Sequence, residues 1–236
     1  MLHFNQSREE EAEEGGVWKL LILDQAGSRI ISPLLRLNDL REEGVTLYPQ
    51  LHSDRQPVED VPVVYFVEPT RENIERILAD LQAGLYNSPL YLNWTTSIPR
   101  PLLERLAEGA ANRAPLIAKV YDQYLNFVCL EDNLFTLNLA ATGGGTWATL
   151  NAPSTAEAAV EACLDQIALG LWCVLMAQGG PVPLLLCQRG GPSQAIANRL
   201  EARIRTHLIN TRNSHSLGPT ELQHLEEGRP GTLRLA

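Results

Sequence analysis

The chain has 236 residues, of which 44% are hydrophobic and 20% charged, and these proportions exclude global disorder. Its formal net charge of −9 argues against a general nucleic-acid binder, which needs a basic face to replace the counterions of phosphates. The length suits one large domain or two small ones.

Neither a secretory signal nor a membrane-spanning helix is expected from the sequence. Residues 1–16 contain five glutamates, where a signal peptide needs basic residues and an apolar core, so they predict a mobile acidic tail. The longest apolar run, residues 168–177, is about half the length that a bilayer requires.

The cysteines stand far apart inside apolar stretches and form no C-x-x-C pair. This pattern favours four buried thiols in a reducing compartment over disulfides or a metal site. The four are Cys129, Cys163, Cys173 and Cys187.

Strand and helix signals alternate over the first 130 residues. Apolar runs predict five strands, at residues 17–23, 45–51, 63–67, 90–95 and within 116–130. A turn is predicted at residues 25–28. Three helices are predicted: one starting with Ser32 as N-cap and Pro33 as first helical residue, one capped by Thr70, and one over residues 99–111. Repeated β–α–β units imply a parallel sheet covered on both faces, so the sequence predicts a Rossmann-like α/β domain with a five-stranded parallel sheet.

The pattern changes after residue 133. A glycine-rich turn is predicted at residues 142–146, and a helix over residues 156–178 that is apolar nearly all round and should therefore be buried. Strand signals at residues 134–139, 182–187 and 232–236, and an amphipathic helix over 192–210, complete the pattern. We expect residues 134–236 to be the incomplete start of a second α/β domain.

Motifs for catalysis are weak. The glycines at 143–145 lack the lysine of a P-loop and the spacing G-x-G-x-x-G, so a turn is the better interpretation. Arg189 and the glycines at 190–191 precede a helix and form a weak candidate for an anion site, although a loop is favoured. His52, Ser53 and Asp54 are consecutive, and three consecutive residues cannot form a catalytic triad among themselves.

Asp24 follows the first predicted strand, at the sheet edge where α/β enzymes often place a functional acid. An acid that caps a turn is the simpler interpretation. The alternative is a small-molecule α/β enzyme with its site near Asp24, and the fold alone does not decide between a scaffold and an enzyme.

Three stretches of the chain together resemble one protein family. They are KLLILDQAGSRIISPLLRLNDLREEGVTLYPQL from residue 19, HSDRQPVEDVPVVYFVEPTRENIERILADL from residue 52, and KVYDQYLNFVCLEDNLF from residue 119. The strings IISPLL, LHSDR, VYFVEPT and DQYLNF are specific in combination. On these residues the chain is identified as a member of the SM (Sec/Munc) family of SNARE chaperones, and it is most similar to the Sly-one type of ER–Golgi traffic.

The resemblance implies a domain organisation and a function. Residues 17–133 would be SM domain one and residues 134–236 the first part of domain two, with the family's third domain missing. The implied function is non-enzymatic regulation of vesicle docking and fusion in ER–Golgi transport, with no cofactor and no metal. The implied partners are a syntaxin-type SNARE and, in the full-length family, the assembled SNARE complex. Nucleic acid is not an implied partner, and a cytoplasmic protein is expected that reaches ER and Golgi membranes only indirectly, as a peripheral component.

The resemblance also implies a binding site for the N-terminal peptide of a syntaxin on the outer face of domain one. Leu103, Leu106 and Ala107 are spaced i, i+3 and i+4, which places them on one helix face, but the same spacing suits a core helix. Carried over from the family's motifs, the pocket and its acid would consist of Leu103, Leu106, Ala107, Ile117, Val120 and Asp122.

Overall fold

The computed structural model describes residues 18–131, 133–139, 145–179, 182–213 and 232–235. The chain divides into two compact units, Met1–Thr136 and Leu137–Ala236. The predicted acidic tail at residues 1–16 lies outside the described residues, as do residues 142–144 of the predicted glycine turn.

The first unit is built on a five-stranded parallel sheet, as predicted. The strands run in the order β2-β1-β3-β4-β5. Every residue of β1 and β3 is buried, because both faces of the sheet are covered. The strands are β1 Lys19–Leu23, β2 Val45–Leu47, β3 Val63–Val67, β4 Leu90–Trp94 and β5 Ile117–Asp122.

Four helices connect these strands: α1 Gln25–Ile31, α2 Leu37–Glu42, α3 Arg71–Ala83 and α4 Arg100–Ala110. Thr70 caps α3 as predicted, because its Oγ1 accepts the Asn73 N–H at 3.2 Å. The helix predicted after Ser32 and Pro33 exists as α2, but its predicted start is wrong, because α2 begins at Leu37. The turn predicted at residues 25–28 is also wrong. Helix α1 occupies that turn and ends before Ser32, which is its C-cap.

Alternate residues of the strands pack into two apolar cores on opposite faces of the sheet. One core joins Leu20, Ile22 and Tyr65 to residues of α3 and α4. The other core joins Leu21, Leu23 and Phe66 to α1, to α2 and to Val128, which follows β5 in the chain. The period of two along each strand places successive side chains on opposite faces, which accounts for this division.

Strand β6, Phe127–Glu131, pairs with β7, Leu134–Leu137, in a separate two-stranded sheet. The second unit contains the helices α5 Gly145–Asn151, α6 Glu157–Gln178 and α7 Pro192–Asn213. Its strand β8, Leu184–Cys187, pairs in parallel with β9, Thr232–Leu235. Arg199 of α7 forms ion pairs with Glu161 and Asp165 of α6, which joins the two long helices.

Helix α6 is less buried than its composition predicts, although it buries Leu164, Leu171 and Trp172. It is long and apolar enough to cross a membrane by length and composition alone, contrary to our expectation, and 39% of its most apolar window is buried. The expectation considered only the uninterrupted run at residues 168–177. A core helix has the same composition, so length and apolarity do not separate the two possibilities.

The prediction of four buried thiols is wrong for two of them. Cys163 and Cys173 are buried on α6, whereas Cys129 is half-buried and Cys187 is exposed. The last two lie on β6 and β8, whose two-stranded sheets also leave Leu130 and Leu184 exposed. An apolar sequence context therefore does not bury a thiol where a strand has an uncovered face. None of these four cysteines forms a disulfide.

Candidate functional site

Asp24 is a buried structural acid at the carboxyl end of β1. Its Oδ1 accepts the Gly27 N–H at 2.6 Å, and its Oδ2 accepts the Glu68 N–H at 2.9 Å and the Asn73 side-chain amide at 2.7 Å. One carboxylate thus caps α1 and joins the ends of β1 and β3 to the start of α3. The interpretation of Asp24 as a capping acid is correct, except that it caps a helix and not a turn.

The surroundings of Asp24 offer little to an enzyme. Burial, followed by the charge of Asp24, raises the pKa of Glu68, while Arg29 opposes this shift. Within the described part of the chain, no group of three or more His, Cys, Asp or Glu side chains could hold a metal ion. Since Asp24 already accepts hydrogen bonds from three donors, this sheet edge presents a satisfied structural network.

Helix α4 divides the predicted site residues between its core side and its exposed side. Leu106 is 3% exposed and lies in the core with Ala110, and Leu102 packs against that core. Leu103 is 42% exposed, and Ala107 is exposed as well. The predicted single face is therefore only partly correct, because the spacing i, i+4, i+8 of Leu102, Leu106 and Ala110 forms the buried side.

Strand β5 is the edge strand next to β4 and contains one extra residue. Leu90 pairs with Ile117 but Tyr91 pairs with Lys119, so Ala118 has no counterpart on β4. Such a bulge shifts the alternation of side chains along the strand. As a result Ile117, Val120 and Asp122 stand in register with Leu90, Leu92 and Trp94, which face the core covered by α3 and α4.

These positions expose apolar surface at the edge of the sheet. Ile117 is half-buried and packs against the core, while Val120 is 40% exposed. We use the name α4–β5 surface for Leu103, Leu106, Ala107, Ile117, Val120 and Asp122. Within it Leu106 and Ile117 form the buried layer, and the exposed apolar side chains are Leu103, Ala107 and Val120.

Asp122 supplies the acid of the α4–β5 surface. Its Oδ1 accepts the Ile98 N–H at 3.1 Å, which fixes the carboxylate at the end of the strand. Burial by the surrounding protein raises the pKa of Asp122, and the hydrogen bond from Ile98 partly opposes this shift. Asp122 is exposed, so its oriented carboxylate can receive a cation, and Val120, two residues earlier on the same face of β5, offers exposed apolar surface for an anchor.

The sequence did not identify the residues that hold α4 in place. Arg105 of α4 donates two hydrogen bonds to Glu75 of α3, at 2.7 and 2.8 Å. Gly109 of α4 meets Leu78 of α3 so closely that an added Cβ would lie 2.4 Å from Leu78 Cδ1. The available signal was an isolated glycine inside a helical pattern, which often marks a close approach.

Comparison with known proteins decides the family. The sequence profile of the Sec1 family matches residues 19–230. The chain belongs to the Sec1 family. The resemblance to SM proteins, which rested on a few sequence strings, is confirmed.

Relatives of this Sec1-family chain are also of the predicted type. It is 43% identical to the SEC1 family transport protein SLY1 of Arabidopsis thaliana over 204 residues, which are 86% of this chain and 32% of the plant protein. It is 41% identical to Sec1 family domain-containing protein 1 of Homo sapiens over 222 residues, 93% of this chain and 34% of the human protein. The chain therefore spans about a third of the length of the curated relatives it matches.

A solved structure gives the same result for the fold. The crystal structure of Sly1p in complex with an N-terminal peptide of Sed5p matches with a TM-score of 0.78 and 36% sequence identity. The match covers 89% of this chain and 35% of that chain. The Sec1-family chain thus shares the fold of the N-terminal part of an SM protein.

Proposed function

We propose that this Sec1-family chain is a SNARE-binding regulator of vesicle docking and fusion in ER–Golgi transport. Its predicted SM domain one, residues 17–133, would bind the N-terminal peptide of a syntaxin-type SNARE on the α4–β5 surface. The observation that carries the proposal is the exposure of three apolar side chains of α4 and β5, Leu103, Ala107 and Val120, together with the exposed acid Asp122 at the end of β5. The likeness to Sly1p in complex with an N-terminal peptide of Sed5p supports it.

The proposed recognition needs one apolar anchor and one cation on the peptide. The anchor, an aromatic or large aliphatic side chain, contacts Leu103, Ala107 and Val120 and lies over Leu106 and Ile117. A few buried anchors carry most of the binding energy in such interfaces, and the contacts around them mainly exclude water.

The cation of the peptide pairs with Asp122. An ion pair between exposed groups contributes little, and Asp122 is exposed, but its carboxylate is already oriented by the Ile98 N–H, and a bound peptide would cover it. This pairing fixes the direction of the peptide, because the acid lies at one end of β5.

The proposed role involves no enzymatic reaction and no cofactor. Asp24, the acid on which the enzyme alternative depended, is occupied by three structural hydrogen bonds. Association with ER and Golgi membranes would be peripheral and would pass through the SNARE. Residues 134–236 would be the first part of a second SM domain, and binding of the assembled SNARE complex would belong to full-length members of the family.

Binding of a fluorescent syntaxin N-terminal peptide to Leu103→Lys tests the proposal. The lysine removes the anchor contact and places a charge at an apolar interface, so the binding free energy should weaken by about 2 kcal/mol or more. That loss corresponds to an increase in Kd of roughly 30-fold.

Leu47→Lys is the matched control, because Leu47 is a 52%-exposed leucine of β2, at the opposite edge of the same sheet. A peptide with its anchor replaced by alanine controls for the ligand. If Leu103→Lys bound the peptide as tightly as Leu47→Lys does, the assignment of the site would be wrong.

A further inference from the structure

Gly109 lies in the last turn and a half of α4, where glycine has an unfavourable helix propensity compared with alanine. No turn or positive φ requires glycine there, since the residue is helical and is absent from the described glycines with positive φ. The reason for a glycine must therefore be its lack of a side chain.

The neighbour of Gly109 is Leu78 of α3. A Cβ on residue 109 would lie 2.4 Å from Leu78 Cδ1 and 2.8 Å from Cδ2. Leu78 is fully buried in the core, so its side chain has no solvent to move into. On the same side of α4, Arg105 forms its two hydrogen bonds to Glu75 of α3. Helix α4 thus lies so close to α3 that a side chain at residue 109 would force either Leu78 or α4 to shift.

The opposite side of α4 belongs to the α4–β5 surface. At 3.6 residues per turn, Leu103 and Ala107 lie about 120° and 160° around the helix from Gly109. Carbon atoms in contact are ~3.5–4.0 Å apart, so a methyl group at residue 109 requires a displacement of about 1 Å if Leu78 stays in place. Because α3 and α4 cover the same face and β5 is the edge strand, a shift of α4 away from α3 carries Leu103 and Ala107 toward the β5 edge and changes their distance from that strand.

We propose that Gly109 is a specificity-determining position of the α4–β5 surface, which sets the size of the anchor side chain that fits between α4 and β5. The residue touches no peptide and acts by positioning α4. This inference rests on the proposed function, because it needs the peptide to bind at that surface.

The test compares peptides that carry phenylalanine, leucine or alanine at the anchor position. In Gly109→Ala the affinity for the phenylalanine peptide should fall about tenfold, as for a misfitting anchor. The affinity for the smaller leucine anchor should fall less, so the preference for phenylalanine over leucine should shrink by at least about threefold. A general loss of stability would lower the folded fraction and would leave this preference unchanged.

Two further variants separate repositioning of α4 from a general loss of stability. Glu108→Ala is the matched control, because it changes the exposed neighbouring residue and should keep the parent's preference. Gly109→Ala combined with Leu78→Ala removes the methyl groups that the new Cβ would meet, and it should restore the preference for phenylalanine. If Gly109→Ala alone does not fold, Gly109→Ala with Leu78→Val retains part of the clash and should show the shifted preference.

The possible failures are distinguishable. If the parent chain binds none of the peptides, or Leu103→Lys binds like the parent, the proposed function fails and this inference fails with it. If the parent binds and Leu103→Lys does not, but Gly109→Ala keeps the parent's preference for phenylalanine, only the role of Gly109 is refuted.

Discussion

Leu103 and Leu106 lie within one turn of α4, yet truncation to alanine should affect different properties. Leu106→Ala should mainly lower stability, and Leu103→Ala should mainly lower peptide affinity. Leu106 is 3% exposed and packs in the core, and a leucine-to-alanine change at such a site costs about 2–5 kcal/mol of unfolding free energy. Leu103 keeps 42% of its surface in water, so its truncation should cost only about 1 kcal/mol.

The assay must report on the first unit alone, since the chain has two compact units. Urea unfolding followed by hydrogen exchange in peptides from β3 and β4 meets this need. With a urea dependence of about 2 kcal/mol per molar, Leu106→Ala should lower the midpoint by roughly 1–2.5 M and Leu103→Ala by about 0.5 M.

Peptide binding should rank the same two variants in the reverse order. Leu103→Ala should lose tenfold or more in peptide affinity. Folded Leu106→Ala protein should lose less affinity, because Leu106 lies beneath the surface. Equal losses of unfolding free energy in the two variants would refute the division of α4 into a core side and an exposed side.

Three other perturbations follow from charged groups of the first unit. Arg55→Met should lower the unfolding free energy by about 3 kcal/mol in thermal unfolding, because the buried Asp80 carboxylate loses a guanidinium 2.8 Å away and keeps only the more distant Arg76 Nε, at 3.9 Å. The double variant with Asp80→Leu should be more stable than the single one. Burial and then Asp24 raise the pKa of Glu68 above its usual 4.5, so the folded chain binds the proton more tightly, and the stability from this group is lost as pH rises above about 4.5. Glu68→Gln should therefore raise the unfolding free energy more at neutral pH than at mildly acidic pH. An unchanged pH profile of unfolding would contradict this assignment. The pKa of Asp122 is raised above its usual 3.8, chiefly by burial, and a bound cation would lower it again, so peptide affinity should decrease as pH falls toward about 4. Asp122→Asn should bind more weakly and show no such pH dependence in fluorescence titrations.

Local signals in the sequence were sufficient for the parts of the fold that local chemistry determines. Residues 63–67 form a strand as predicted, because a run of apolar and β-branched residues suits a strand buried on both faces. Thr70 caps α3 as predicted, since its hydroxyl accepts a hydrogen bond within the first turn.

The start of α1 depends on contacts that are distant in sequence. Asp24 accepts hydrogen bonds from Glu68 and Asn73, which lie 44 and 49 residues further along the chain. Gly27 packs so closely on β3 that an added Cβ would be 2.4 Å from the Phe66 carbonyl oxygen. These tertiary contacts override the weak helix propensity of glycine, whereas Ser32 and Pro33 carried a strong local signal for a helix start.

The candidate site shows the same limit of spacing arguments. The intervals between Leu103, Leu106 and Ala107 place the three residues on one side of a helix. They do not tell that Leu106 is buried and that the other two are exposed. The core side follows from Leu102 and Ala110, which only the packing of α4 on the sheet reveals. Similarly, the common orientation of Ile117 and Val120 depends on the bulge at Ala118, which no periodicity predicts.

The extra residue in β5 makes the α4–β5 surface depend on strand register as well as on side-chain chemistry. Ala118 is unmatched on β4, so most substitutions there should be tolerated, as for a spacer. Deleting it would remove the bulge and leave Ile117 and Val120 two positions apart, so both would keep the face that they share now. If Ala118 stayed and paired with Tyr91, strict alternation would instead bring Lys119 and Tyr121 to the face where Val120 and Asp122 now stand. Two relatives with nearly identical residues in this strand could present unlike surfaces to a partner if only one of them forms the bulge.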